Sequence, residues 1–402
     1  MKQMYWRPRK VSGWAVGLVA VVAVLGGAAV ELFQTREHQP DYERKLAAAR
    51  LARQCQEAIR AERLRRGYPI DPKLDPGGTG LVGTTMSPIT SITGHRASKQ
   101  TATNPNFAAV VVDMFRQAGL EEGDRVAVGY SGSFPGGNIA VCAAIETLEL
   151  RPTIVASVGS SQYGANLPEF IWLDMERLIH EQGLISFRSA AASLGGREDR
   201  GLGMDRKTRE EIRGKIRDHG LPLIEGKNFA DSFQKRMDVY QKHANGAPVK
   251  AYVNVGGGAV SVGRSFGKRF YNDGLNLEQP EEAAELDGVM AQFAGQGAAV
   301  IHLVGYQGLA RQYGLPVAPK RIPEIGQGGV FVRRHYNRLL AGGVLVVLVV
   351  LARWAVFGDL GPRIESLVDR FRRRLPRAFH AKLHAELASE DAEEQHPLEL
   401  MV

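Results

Sequence analysis

Two long apolar runs stand towards the ends of the chain, and a patterned, mixed segment lies between them. From Val11 to Val30 no residue is charged, a length that crosses a bilayer as a helix. A second run, Leu339 to Phe357, carries a charge only at Arg353. That position is close enough to the far end for a long side chain to snorkel, with Trp354 and Phe357 placed as interfacial aromatics. Residues 11–33 and 336–358 are therefore expected to be transmembrane helices. Gly26 and Ala28 also fit a signal-peptide cleavage site, although the run is long for a signal sequence.

After the first run, Leu46, Leu51, Cys55, Ile59 and Leu64 recur at helical spacing. They predict a stalk helix within residues 34–70 that continues the first span and ends at Pro69, Pro72 and Pro76. The period then shortens. Arg125–Tyr130, Thr153–Val158, Val249–Val255 and Ala298–Val304 are short runs rich in β-branched residues. Each meets a loop rich in Gly or Ser: Ser131–Asn138, Gly159–Asn166, Gly256–Gly258 and Gly305–Gly308. Helical patterns follow the first two, from Ile139 to Leu148 and through Phe170 and Leu178. Strands alternating with helices predict an α/β fold over residues 71–335, a mostly parallel sheet flanked by the two transmembrane helices. Residues 197–247 are more polar and are expected as a helical subdomain or lid. In such sheets the ligand crevice lies outside the carboxyl ends of the strands, where all four loops should converge.

Charge sets the orientation. The net charge of +8 is concentrated at Lys2, Arg7, Arg9, Lys10 and from Arg370 to Arg377. Basic clusters beside apolar runs place residues 1–10 and 359–402 in the cytoplasm and the central domain outside. Arg333, Arg334 and Arg338 pull the other way, but long domains translocate largely regardless of charge. In the tail, Ile364, Leu367, Val368, Phe371, Leu375 and Phe379 suit a basic amphipathic helix on lipid or a partner, interrupted by Pro376, before the acidic run Glu390–Glu394. No zinc, RRM or helix-turn-helix pattern accompanies the charge, so no nucleic-acid partner is expected.

Gly129-Tyr130-Ser131-Gly132-Ser133 approaches the G-x-S-x-G nucleophile elbow, with Ser133 standing where the last glycine belongs. Ser131 and Ser133 are candidate nucleophiles. His95, His180 and His302 are candidate bases, and Asp174 is a candidate orienting carboxylate. The rival reading is a turn that binds ligand at a helix start. Asn138, Ser160, Ser161, Asn166, Gly257 and Gly258 extend that ligand-binding reading, against ordinary helix capping. The segment Gly263–Arg269 is one residue short of a P-loop, and Gly256–Ser261 lacks the last glycine of a dinucleotide fingerprint. No metal-ligand spacing appears, so neither metal nor cofactor is expected. An oxidising location would permit a bridge between Cys55 and Cys142, and nothing in the sequence brings them together.

Ser91-Ile92-Thr93 with Thr101–Ala109, the loop Ser131–Pro135, and the block from Gly164-Ala165-Asn166 to Trp172–Glu176 resemble the poly-γ-glutamate system protein family. The resemblance runs from the first apolar segment to about Gly329. It implies a bacterial plasma-membrane protein, partnered with subunits of the poly-γ-glutamate synthase complex, that helps make, export or attach the polymer. It supplies no catalytic residue. Arg197, Arg200, Arg206 and Arg209 would suit a polymer of carboxylates, or a solvated face. Three functions stay open: a non-catalytic accessory that binds the polyanion, a serine amidohydrolase or transpeptidase acting on it, and a sensor signalling to the basic tail.

Overall fold

The computed structural model describes residues 13–357 apart from 265, 266 and 284. The basic clusters before Gly13 and after Phe357, the amphipathic tail helix and the acidic run lie outside the described residues. The chain divides into two compact units, one within Met1–Glu37 and Arg334–Val402 and the other His38–Arg333.

The first unit contains the apolar helices Gly13–Leu32 and Arg338–Phe357, both long and apolar enough to cross a membrane. Their large side chains, among them Val24, Leu25, Leu345 and Val346, are exposed. The two helices meet at Gly26, where a Cβ would stand 2.5 Å from Val344 Cγ1. Close approach through a small residue is how apolar helices gain contact when lipid is as apolar as leucine. Gly26→Leu should therefore weaken their pairing by about 1 kcal/mol. Energy transfer between labelled helices in bilayers would read this, and unchanged association would refute the contact.

The second unit is a doubly wound sheet. Its strands are β1 (Arg125–Ser131), β2 (Arg151–Ser157), β3 (Ala191–Ser193), β4 (Leu223–Ile224), β5 (Val249–Val255), β6 (Gly274–Asn276) and β7 (Ala299–Leu303). They lie in the order β4-β3-β2-β1-β5-β7-β6. All neighbours are parallel except β6, which runs antiparallel along the β7 edge. The chain winds outward from β1 through β2 and β3 to β4, then returns to the other side of β1 with β5. The strand order thus reverses between β1 and β5.

Alternation along the strands builds two cores, because successive side chains point to opposite faces. Val126, Val128 and Tyr130 of β1, Ile154 and Ala156 of β2 and Val253 and Val255 of β5 face one core. Ala127, Val155 and Tyr252 face the other. The second core is closed by the helices Phe229–Ala244 and Val289–Gly295 through Met237, Tyr240 and Phe293. The first is closed by the helices Phe107–Gln117, Pro135–Thr147 and Trp172–Glu181.

Two segments differ from expectation. The helix expected as a stalk, Tyr42–Arg65, is a core helix of the α/β unit, packed on the helices Phe107–Gln117 and Pro135–Thr147. Its buried apolar face is Leu46, Ala48, Ala49, Ala52, Cys55 and Ile59, so the expected stripe is buried apart from half-buried Leu51 and exposed Leu64. Alanines beside that stripe let the helix pack on Pro135–Thr147, whose alanines are buried in the same core. Residues 197–247 are woven into the sheet, since they contain β4 and the covering helix Phe229–Ala244. Cys55 and Cys142 are free and buried, and burial raises both thiol pKa values, that of Cys55 to about 12.

Candidate functional site

The four Gly- and Ser-rich loops leave the carboxyl ends of β1, β2, β5 and β7, all parallel, and so share one edge of the sheet. The crevice of such a sheet lies where strand order reverses, here between β1 and β5. Ser131 and Gly256 meet there. Gly256 has φ +89°, and a Cβ on it would lie 3.0 Å from Ser131 Cβ. Glycine is thus required at that turn both by its conformation and by the neighbouring serine. Gly257 and Gly258 follow, half-buried.

The loop after β1 is pinned by its own side chains. Ser133 N–H donates to Ser131 Oγ at 3.1 Å, and Asn138 Nδ2 donates to Ser131 O at 3.0 Å. Pro135 opens the following helix, where its fixed φ suits the first turn. Neither Ser131 nor Ser133 has a positive φ, and Ser131 still belongs to β1. The strained turn of a nucleophile elbow is therefore not formed.

The loop after β2 is stapled to the first. Ser161 N–H donates to Ser133 Oγ at 3.0 Å, and Ser160 Oγ–H donates to Gly132 O at 3.0 Å. Asn166 accepts from Thr84 N–H at 2.9 Å and donates to Thr84 O at 2.9 Å and Thr90 Oγ1 at 3.0 Å. Ser160, Asn138 and Asn166 are fully buried, and Ser161 nearly so. These four residues brace the loops against one another. Asn138 Oδ1 and the hydroxyl of Tyr306, both buried in the same region, have no hydrogen-bond partner.

Beneath this loop lies a cation that the sequence reading passed over. Lys99, in the short helix Arg96–Ala102, is 4% exposed. Its Nζ donates to Ser133 O and sits 3.3 Å from the centroid of the Phe134 ring. A carbonyl and a ring face stabilise an ammonium without neutralising it. No carboxylate among the described residues forms an ion pair with it. Burial holds the Lys99 pKa well below the usual lysine range. A surface lysine would look the same in sequence, and only the neighbouring small residues Ala97, Ser98 and Ala102 hint at a packed face.

The other expected participants lie elsewhere. Asp174 accepts from Ile171 N–H at 2.9 Å and stands 3.0 Å from His219 Nε2, whose Nδ1 faces Arg188 Nη2 at 3.3 Å. Burial opposes ionisation of Asp174, but the His219 contact and the Ile171 amide outweigh it and lower the pKa. The histidine that Asp174 orients is thus His219, rather than His95, His180 or His302. His302 lies within β7 with Nδ1 2.9 Å from Asn254 Nδ2, and His95 is exposed at the start of the Arg96–Ala102 helix. Of the four arginines suggested for carboxylates, Arg197 and Arg206 are exposed and Arg200 pairs with Glu198 at 3.4 Å. Arg209 is half-buried, and its Nε has no partner. The deeply placed guanidinium is Arg236, 2% exposed and paired with Asp199.

Neither family models, curated proteins nor solved structures match this chain.

Proposed function

We propose that the chain is a membrane-anchored accessory component of the poly-γ-glutamate system. Both apolar helices span the plasma membrane of a bacterium, both ends are cytoplasmic, and the α/β unit outside holds carboxylates of the polymer at the strand-order reversal. The observation that carries this reading is Lys99, a buried cation without a counter-carboxylate under a loop of serine hydroxyls and a helix start. Helix starts and hydroxyls favour anions, and a buried ammonium near them favours one more strongly. The anchoring is supported by the two apolar helices and by Gln39 N–H donating to Phe331 O at 2.9 Å. That contact brings the two ends of the α/β unit together, as a domain hung from two neighbouring spans requires. The apolar helices are also the natural contact with synthase subunits.

A second reading is favoured by the same lysine. Burial lowers the Lys99 pKa, the direction that suits a general base, and Nζ donates to Ser133 O, so Ser133, with Ser131 beside it, would serve as nucleophile on the γ-amide. The hydroxyl proton would pass to Lys99 as Oγ attacks the carbonyl carbon, the leaving amine would take up that proton as the C–N bond breaks, and water would then hydrolyse the ester.

Both readings are tested by incubating the full-length protein in detergent micelles with poly-γ-glutamate and measuring bound polymer and chain length. Under the accessory reading the polymer binds and keeps its length, and Ser131→Ala or Ser133→Ala changes binding by no more than about threefold. Shortening that either substitution abolishes would establish the hydrolase instead. Polymer that neither binds nor shortens would refute both.

A further inference from the structure

Ser157 and Ser193 end the adjacent parallel strands β2 and β3, and their hydroxyls lie 3.1 Å apart. Arg236 reaches them from the helix Phe229–Ala244, with Nη2 2.7 Å from Ser157 Oγ and 3.2 Å from Ser193 Oγ. A guanidinium fork beside two hydroxyls is matched to a carboxylate. It holds one from its own chain. Asp199 Oδ1 accepts from Arg236 Nη2 at 3.1 Å, from Ser193 Oγ at 3.1 Å and from Ser157 Oγ at 3.4 Å, while Oδ2 accepts from Arg236 Nε. Arg236 Nη1 is buried with no partner, so the fork is not saturated.

Asp199 arrives on the tip of a tight hairpin. Arg197 and Leu202 bridge antiparallel, and Gly201 N–H donates to Gly195 O at 2.8 Å. Both residues at the tip are left-handed, Glu198 at φ 59° and Asp199 at φ 60°. A turn with two such positions prefers Asn and Gly, and an L-residue such as glutamate is held there only by its surroundings. Ser232 Oγ donates to Glu198 O at 2.8 Å, closing the hairpin from the covering helix. The hairpin base packs on the loop that carries Ser160 and Ser161, since a Cβ on Gly159 would lie 2.9 Å from Leu194 O and 3.1 Å from Gly196 N. The carboxylate fork therefore lies at the same sheet edge as Ser131 and Lys99, buried beneath the hairpin.

We propose that Arg236, Ser157 and Ser193 form a carboxylate-binding site that the hairpin Gly195–Met204 occupies with its own Asp199, and that a glutamyl carboxylate of the polymer takes the place of Asp199 when the hairpin swings out. The proposal rests on the reading of this unit as a polymer-binding domain. It assigns Asp199 the part of an internal competitor. A polymer of repeated carboxylates supplies the displacing group at high local concentration once one unit is held nearby. The strained tip lowers the cost of release, and the unpartnered Nη1 gives the incoming group a further donor.

The test uses the full-length protein in nanodiscs and a fluorescein-labelled γ-glutamyl decamer. Removing the competitor removes the fraction of time the site is blocked, so Asp199→Asn, which tolerates the left-handed conformation, should bind the decamer at least about tenfold more tightly than wild type. Adding Arg236→Lys to that variant should cancel the gain, because lysine cannot form the bidentate fork. In the wild type, saturating decamer should speed hydrogen exchange of the amides from Arg197 to Leu202. That readout remains decisive if Asp199→Asn fails to fold. Equal binding by wild type and Asp199→Asn, or hairpin amides that slow or stay unchanged, would overturn the internal-competitor proposal alone. A decamer that binds none of the variants would overturn it together with the polymer-binding reading.

Discussion

Glu176 should cost the α/β unit about 3 kcal/mol of stability as pH rises from about 4 to 8, a contribution that Glu176→Gln should remove. Glu176 is fully buried on the helix Trp172–Glu181, and burial raises its pKa to about 7 from an ordinary 4.5. The hydroxyl of Ser189 donates to Oε1 at 2.8 Å and opposes the shift, whereas Oε2 has no partner. Because the folded pKa is raised, the native state binds more protons than the unfolded chain between the two pKa values. The contribution is fully present below pH 4.5 and is lost as pH rises through about 7. Glutamine keeps the shape and cannot ionise. A constant offset from its amide leaves the difference in pH dependence intact. Denaturant unfolding of both proteins across this range is the measurement, and parallel profiles would show that Glu176 does not titrate with the fold.

Lys99→Met should weaken polyglutamate binding by about 30-fold or more, the effect of losing about 2 kcal/mol of a desolvated charged contact. The same substitution should stabilise the unit at neutral pH, since it relieves a buried amine that burial alone shifts down. The sign follows from linkage. A lysine whose folded pKa is depressed makes the native state hold fewer protons, so the contribution of Lys99 to stability rises with pH up to the ordinary lysine range. The methionine variant should lack that rise. A gain in stability with a loss of binding is the mark of a group kept for function rather than for the fold. Calorimetric titration with polymer and denaturant curves at two pH values measure both. Binding unchanged in a well-folded Lys99→Met protein would remove the observation on which the polymer reading stands.

Much of the architecture is legible in the linear pattern. Val249–Val255 is a strand at the expected limits, and the other three expected strands differ by two residues or fewer at either end. Strands buried on both faces need continuous β-branched runs, and their loops need Gly and Ser to turn. Parallel connections then place those loops on one edge. In the helix Tyr42–Arg65 the stripe marks the buried face at Leu46, Cys55 and Ile59, but not what that face packs against. Close packing adds Ala48, Ala49 and Ala52 to it.

The sequence by itself determined the two apolar helices, the alternation of strands with helices and the edge on which the serine-rich loops gather, since each depends on neighbours a few residues apart. Only the tertiary structure decided which polar groups meet. Lys99 finds Phe134, Asp174 finds His219 across 45 positions, and Arg236 finds Ser157 across 79. It also decided that Asn138, Ser160 and Asn166 are consumed in bracing the loops while Lys99 and the Arg236 fork keep unanswered charge or donors. Desolvation and hydrogen-bond partnership are set by what folds against a residue. No local pattern of residue types carries that information.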